Sequence, residues 1–439
     1  MEPHGHDEAI RMTGPTAGPV PPSLYARTAR AAHPTSPFSG EHQTDVAVIG
    51  GGFTGLSTAL HLAEAGLGVT LLEAQAPGWG ASGRNGGQVN PGLKYDPDLV
   101  EQRFGPDLGG RMVALSYGAP DFVFNLVRRL GLDCEARQGG TLRLAYHPRN
   151  AAEVRATAEQ CIRRGMPVEW LEGAALRSAT GTDRYLGAML DRRGGDVNPL
   201  GYARGLAEAA SRAGAALHGE SPALRLQREG GRWSITTPRG VLRAPRVVIA
   251  TNGYTDGLWP GLRRSIVPVH SAIAATGPLP AAVLRDVLPL RSAAYESGRI
   301  TVYYRIDAQN RLLMGGRGPQ RDIAGIAPIT YVTDYARRLW PALAGIPWEA
   351  GWNGRLAVTP DHYPHVHAPA EGISICLGYN GRGVAMASTM GAQLARWLSE
   401  QRPPDMPVTD IAPMRLHAFW RLGVAGAVWK GRLLDRLGR

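Results

Sequence analysis

Asp45-Val-Ala-Val-Ile-Gly-Gly-Gly-Phe-Thr-Gly-Leu-Ser57 is the stretch on which the fold of this chain turns. It sets Gly50, Gly52 and Gly55 in G-x-G-x-x-G spacing directly behind the apolar run Val46-Ala-Val-Ile49. In a chain with 57 glycines that spacing alone says little, so the flanks carry the reading. The apolar run reads as a parallel strand buried on both faces. Leu56, Ala59, Leu60 and Ala63 then recur at helical spacing, and Gly66 stops the helix. A second strand, Gly68-Val-Thr-Leu-Leu-Glu73, ends on an acid about 20 residues past the glycines, as the dinucleotide-binding βαβ fingerprint requires.

Each position has a physical task. Gly50 permits the tight turn. Gly52 lets the backbone approach a pyrophosphate at the positive end of the helix, whose first turn begins with Phe53 and Thr54. Gly55 lets helix and strand pack closely. Glu73, followed by Ala74, can accept hydrogen bonds from ribose hydroxyls, and its charge disfavours a ligand with a 2′-phosphate.

At 439 residues the chain is too long for one small core, so two domains are expected. It is 44% apolar and 19% charged, and no apolar run reaches the ~20 residues that span a bilayer. The net charge of +11 does not mark a nucleic-acid binder: the arginines are scattered and no nucleic-acid-binding motif accompanies them. Lys94 and Lys430 are the two lysines. Cys134, Cys161 and Cys376 are widely spaced, with no metal-ligand pattern, and no metal is expected. They read as reduced interior cysteines of a cytoplasmic protein, and no secretory signal is visible.

Residues 1–40, rich in Pro, Gly, Thr and His, read as a flexible arm; His4, His6 and His33 are too sparse for a metal site. Gly80-Ala-Ser-Gly-Arg-Asn-Gly-Gly-Gln88 is a small-residue loop suited to close approach by a flat ligand. Residues 97–170 read mainly as helices, with a strand pair within 134–145. A helix over 200–212, a strand at 216–220, a hairpin at 232–236 and 240–243, and a buried strand from Arg246 to a turn at Gly253 follow. The first βαβ unit and this later block are expected to share one sheet. Ile300-Thr-Val-Tyr-Tyr-Arg305 and Arg311-Leu-Leu-Met-Gly315 form an expected hairpin turning at 307–310. Gly372-Ile-Ser-Ile-Cys-Leu-Gly378, the turn Tyr379-Asn-Gly-Arg-Gly-Val384 and a helix over 385–399 make a second strand-turn-helix. No second G-x-G-x-x-G follows a strand, which disfavours an NADPH-using monooxygenase.

These elements in this order resemble the flavin-dependent amine oxidoreductases of the D-amino-acid-oxidase superfamily, and within it the gamma-glutamylputrescine oxidoreductases. The most specific pieces are the Gly50–Gly55 fingerprint with Glu73, the loop 80–88, Tyr303-Tyr-Arg305 with Arg311-Leu-Leu-Met-Gly-Gly316, Trp352-Asn-Gly354 with Thr359-Pro-Asp361, and Gly378-Tyr-Asn-Gly-Arg-Gly-Val384. The resemblance implies an α/β chain: a Rossmann-like FAD-binding domain of the glutathione-reductase type, plus an α+β substrate domain built on a mixed or antiparallel sheet. The FAD-binding domain would be discontinuous, over 41–95, 195–265 and 350–402. The substrate domain would take 96–194 and 266–349, and 403–439 would be a C-terminal helical segment. From its own residues, Met414 to Leu437 reads as a packed terminal helix rather than one lying on a membrane.

The resemblance also implies site roles. Thr251 and Asn252 would border the adenine side. Ser82, Gly83, Arg84, Asn85, Gly86, Gly87 and Gln88 would run beside the flavin ring. Gly378, Asn380, Gly381, Arg382, Gly383 and Val384 would meet its pyrimidine end. Relatives that attach flavin covalently use a Cys before the Thr-Pro-Asp run or a His in the loop near Ser82. This chain has Gly354-Arg-Leu-Ala-Val358 and Arg84-Asn85 there, so non-covalent FAD is expected. Tyr304, Arg305 and Trp352 are the candidate substrate-side residues: aromatic walls for an amine, and a guanidinium for a substrate carboxylate. Strand alternation lets only one of Tyr303 and Tyr304 face the flavin. Lys94 invites a role in activating oxygen, although the family motifs do not place it there, and His270 reads as structural. The implied reaction is oxidation of a small amine at the C–H beside nitrogen, with O2 or a quinone as final acceptor. Oxidation of glycine, sarcosine or a D-amino acid is the alternative, and flavin binding without turnover is a third reading.

Overall fold

The computed structural model describes residues 22–298 and 301–436. The strand behind the fingerprint, Val46–Ile49, is buried at all four positions, with Val46, Val48 and Ile49 each contributing about 1.5–3 kcal/mol by leaving water. It lies inside a six-stranded sheet ordered His365–His367, Ile373–Leu377, Arg246–Ile249, Val46–Ile49, Val69–Leu72, Ala216–His218. All pairings are parallel except that of the first strand with the second. The first βαβ unit and the block after residue 200 therefore share one sheet, in register from Arg246 opposite Val46 to Ile249 opposite Ile49. Parallel strands buried on both faces read as unbroken apolar runs, which is why they were visible in the sequence.

The helices Phe53–Glu64, Pro199–Arg212 and Gly383–Glu400 form on the expected segments. Phe53–Glu64 and Gly383–Glu400 lie side by side. Ser57 Oγ donates to Ser388 O at 2.6 Å and Thr58 Oγ1 to Gly391 O at 3.1 Å. A Cβ on Gly391 would stand 2.6 Å from Ser57 Cβ, so glycine sets this approach.

A second, eight-stranded sheet runs Trp348–Val358, Val267–Pro278, Arg311–Arg317, Tyr303–Ile306, Ala293–Glu296, Thr141–Ala145, Gly187–Asp191, Val168–Leu171. It is antiparallel apart from the pairing of Ala293–Glu296 with Thr141–Ala145. The expected hairpin is present, from Tyr303 opposite Gly315 to Ile306 opposite Leu312; Ile300 lies outside the described residues. One face of this sheet packs Tyr304, Ile306, Leu312 and Met314 against the helix Thr330–Leu339. The other face turns Leu313, Ile273, Trp352 and Tyr303 toward Leu24, Tyr25 and Leu200. A hairpin at 232–237 and 240–244 joins Gly40–Gln43 and Arg225–Glu229 in a separate four-stranded sheet.

Four expectations change. The boundary at residue 350 cuts through Trp348–Val358, which pairs along its whole length with Val267–Pro278 and so belongs to the second sheet. The arm over 1–40 does not extend over its described part: Leu24–Thr28 is a helix capped by Ser23, with Leu24 and Tyr25 buried, while residues 1–21 lie outside the described residues. The strand pair within 134–145 is a single strand, Thr141–Ala145, whose partners Gly187–Asp191 and Ala293–Glu296 come from far along the chain. The C-terminal helix Trp420–Arg436 forms but leaves Leu422 and Trp429 about 70% exposed, so that face is not packed on the body. The three cysteines are free and buried, and among the described residues no helix is long and apolar enough to cross a membrane.

Candidate active site

The fingerprint turn lies at the carboxyl end of Val46–Ile49, where strand order reverses and ligands of such sheets bind. Gly50 has φ +108, and a Cβ there would stand 2.8 Å from Ala250 O. A Cβ on Gly55 would stand 1.9 Å from Gly50 O, a clash no side chain tolerates. Gly52 caps the helix without a side-chain bond. Phe53 N donates to Ser82 Oγ at 2.9 Å, which brings loop 80–88 onto the positive end of the helix. The Glu73 carboxylate accepts from Gly51 N at 2.6 Å and from Gln75 N at 2.9 Å. Burial pushes its pKa up, against the amides of Gln75, Gly51 and Ala74, which pull it down. A bare-backbone cradle at a helix N-terminus and an oriented carboxylate fit the pyrophosphate and ribose of an FAD.

Loop 80–88 is braced from several directions. Asn85 ties it internally, donating to Ala81 O and Ser82 O and accepting from Gly87 N. A Cβ on Gly83 would stand 2.2 Å from Gly78 O. The Arg84 guanidinium lies over the Trp79 ring and donates to Tyr254 Oη. Gln88 Nε2 donates to Ala294 O and Tyr304 O in the second sheet.

The structure gives the three expected substrate-side residues other tasks. Tyr304 is fully buried, packs edge-on to Trp340 and donates to Tyr185 Oη at 2.7 Å. Alternation along Tyr303–Ile306 sends it into the core of the second sheet. Arg305 is 2% exposed and its donors are already used: Nε on Gly86 O at 2.7 Å, and Nη1 on Asp196 Oδ1 at 3.0 Å. It is a buried brace for the loop, not a free grip for a substrate. Trp352 is buried and donates from Nε1 to Arg84 O at 3.0 Å. Arg305 and Trp352 thus hold the strip of backbone expected beside the flavin.

The late turn closes on the fingerprint. Tyr379 Oη and Thr54 Oγ1 are 2.6 Å apart, and Gly378 N donates to Asn252 Oδ1 at 2.9 Å. Gly378 has φ +81, and a Cβ on it would stand 2.3 Å from Thr359 Cγ2. Asn380 Oδ1 accepts from Thr359 N. Thr251, bonded to Thr255, and Asn252 therefore stand between the two glycine turns. Gly381 has φ +88 and is exposed, and the helix from Gly383 and Val384 starts without a side-chain cap. Arg382 donates to Pro91 O and Tyr295 Oη, with its guanidinium over the Tyr295 ring.

A group that the sequence reading did not assemble faces the same region. Tyr303 lies against Gly86, where a Cβ would stand 2.6 Å from its ring. Its hydroxyl is 2.8 Å from Ser271 Oγ, and Tyr295 lies opposite it in register. Lys94 is accessible at its surface although much of its side chain is surrounded by protein. Burial, together with Arg382, Arg143 and Arg317, holds its pKa down to about 8. Burial also lowers the pKa of Arg317. Among the described residues, none of these four cations forms an ion pair with a carboxylate. Strand alternation allowed only one of Tyr303 and Tyr304 to face this region and left open which. The convergence of Lys94, Arg143, Arg317 and Arg382 left no local signal, because it depends on four distant segments. His270 is buried within 3.4 Å of Asp322, and burial lowers its pKa.

This cradle, braced loop and closing turn define a flavoprotein oxidoreductase, and comparison with known proteins agrees. The chain belongs to the FAD dependent oxidoreductase family (DAO), whose model matches residues 45–397. It is an FAD-dependent oxidoreductase acting on amine substrates. It is 32% identical over 384 residues to gamma-glutamylputrescine oxidoreductase of Escherichia coli (strain K12), covering 86% of this chain and 88% of that one. It is 25% identical to a glycine oxidase of Geobacillus kaustophilus, covering 85% and 97%. In fold it is similar to the crystal structure of glycine oxidase from Geobacillus kaustophilus, with TM-score 0.71 and 23% identity over 85% of this chain and 99% of that one. It is also similar to L-proline dehydrogenase from P. horikoshii, with TM-score 0.70 and 18% identity over 87% and 99%.

Proposed function

We propose that the chain oxidises an amine that carries a carboxylate remote from the reacting nitrogen, a γ-glutamylputrescine-like compound. The product is an imine, which water hydrolyses to an aldehyde and free amine or ammonia. The observation that carries this reading is the set Lys94, Arg143, Arg317 and Arg382: the three guanidiniums help hold the Lys94 pKa down, and among the described residues none of the four pairs with a carboxylate. Like charges gathered in this way repel one another, and an anionic ligand offsets that repulsion. A doubly cationic polyamine would be repelled by the same charges. The 32% identity to gamma-glutamylputrescine oxidoreductase supports the same choice.

Bound FAD would supply the two-electron acceptor for the C–H beside nitrogen. The chain's own residues position and shield. Glu73 would accept from the ribose, and the helix N-terminus at Gly52 would face the pyrophosphate. Arg305, Trp352 and Asn85 fix loop 80–88. Tyr295 and Tyr303 wall the site and exclude water, and Lys94 and Arg317 hold the substrate carboxylate. No acid–base pair is required of the protein. Electrons leave to O2 or a quinone.

The flavin is held without a covalent bond. A trichloroacetic acid precipitate that releases its yellow colour to the supernatant agrees with this, and a yellow pellet contradicts it. The substrate assignment is tested with Lys94→Met and Arg317→Met. Each should raise KM for γ-glutamylputrescine about tenfold or more, since a bond between charged groups is worth about 1.5–3 kcal/mol, while KM for putrescine stays level or falls. An equal rise for both amines would remove the carboxylate from the account. Glycine, sarcosine and D-alanine in the same assay cover amino-acid oxidation, and flavin without turnover on any amine would support the non-catalytic reading.

A further inference from the structure

The helix Trp420–Arg436 lies beyond residues 45–397, which the family model matches, and nothing in the FAD site uses it. Leu416, Phe419, Leu422 and Trp429 are 61–74% exposed, a concentration of large apolar side chains that water does not favour. Leu422 and Trp429 are seven residues apart, so they share one helical stripe, while Val424 and Val428 on another side are half-buried. Arg415, Arg421 and Lys430 are exposed around them. Between residues 414 and 439 the sequence carries six basic residues and one acid, Asp435. The segment is seated on the body by Met414 N donating to Arg264 O and by His417 Nε2 at 2.9 Å from Ile266 O. Arg263 and Arg264, both exposed, extend the basic surface beside it.

We propose that this helix docks the enzyme on an anionic lipid surface, with Leu422 and Trp429 entering the headgroup boundary and the flanking Arg and Lys side chains meeting lipid phosphates. Charge selects the occupant. A narrow apolar stripe edged by cations, on a chain of net charge +11, complements a negatively charged membrane face. Long basic side chains can lay their stems along the boundary while their charged ends stay in the headgroups. The helix is not long and apolar enough to cross the bilayer, so the mode is peripheral.

The test uses the full-length, FAD-loaded protein sedimented with phosphatidylcholine vesicles, with and without phosphatidylglycerol. The expected result is partition onto the anionic vesicles, weakened by salt and weak on neutral ones. Leu422→Ser with Trp429→Ser should lower that partition about tenfold or more, with amine oxidation in solution unchanged. Arg421→Glu with Lys430→Glu, a second variant at exposed positions, should lower it comparably. Failure of the unmodified protein to sediment with anionic vesicles overturns the proposal, as does equal sedimentation by all three proteins. Vesicle-independent self-association that disappears in the Leu422/Trp429 variant makes the stripe a protein interface and also overturns it.

Discussion

Arg305 shows how burial changes the meaning of a residue. In the sequence it stands beside two tyrosines on a strand and reads as a grip for a carboxylate. In the structure its guanidinium is shared between Gly86 O and Asp196 Oδ1. Removing one partner of a buried pair costs about 3–5 kcal/mol, because the other charge is left uncompensated. Arg305→Leu should therefore lower stability by about that amount in urea unfolding and reduce the flavin retained on purification. Unchanged stability would mean the pair contributes little. Lys94 gives a prediction in pH. Its folded pKa of about 8 lies below the unfolded value of about 10.4. Between the two the unfolded chain binds more protons, so the FAD-free protein gains stability from this group as pH rises through that window. Lys94→Met should flatten the gain. Glutarate, a carboxylate without an amine, should also bind the unmodified protein more weakly above pH 8, while its binding to Lys94→Met changes less; thermal shift against pH and competitive inhibition read the two effects.

Among elements, the fingerprint was legible because its physics is local. A strand buried on both faces, a glycine turn and a helix each leave their own period in the sequence. Gly55 makes the point testable: Gly55→Val places carbon within 1.9 Å of Gly50 O and should yield a destabilised chain without flavin, read by absorbance and circular dichroism. Flavin bound at normal stoichiometry would contradict the packing. Tyr304 and Trp352 show the complementary limit. Which face of a strand meets the ligand depends on what packs behind it, here the helix Thr330–Leu339 and the Tyr25 ring. The boundary at 350 failed similarly, because the partner of Trp348–Val358 begins some 80 residues earlier. The cationic group was illegible: Lys94 lies in a loop, Arg143 and Arg317 on separate strands and Arg382 at the start of a helix, with no common spacing, and only the folded chain gathers them.

At the scale of the whole molecule, two glycine turns more than 300 residues apart meet through Thr54 and Tyr379 and through Asn252 and Gly378. The second sheet braces the loop beside them. Cofactor and fold should therefore be linked. FAD at 100 times its dissociation constant should raise unfolding stability by about 2.7 kcal/mol, seen as a concentration-dependent rise in melting temperature. A melting temperature indifferent to FAD would break that link. The central claim is that this site oxidises an amine held by its remote carboxylate, and anaerobic titration of the oxidised flavin absorbance tests it most directly. The account predicts that γ-glutamylputrescine bleaches the yellow band at concentrations where putrescine, glycine, sarcosine and D-alanine leave it intact. Bleaching by putrescine at equal concentration, or by an amino acid in preference, would contradict it.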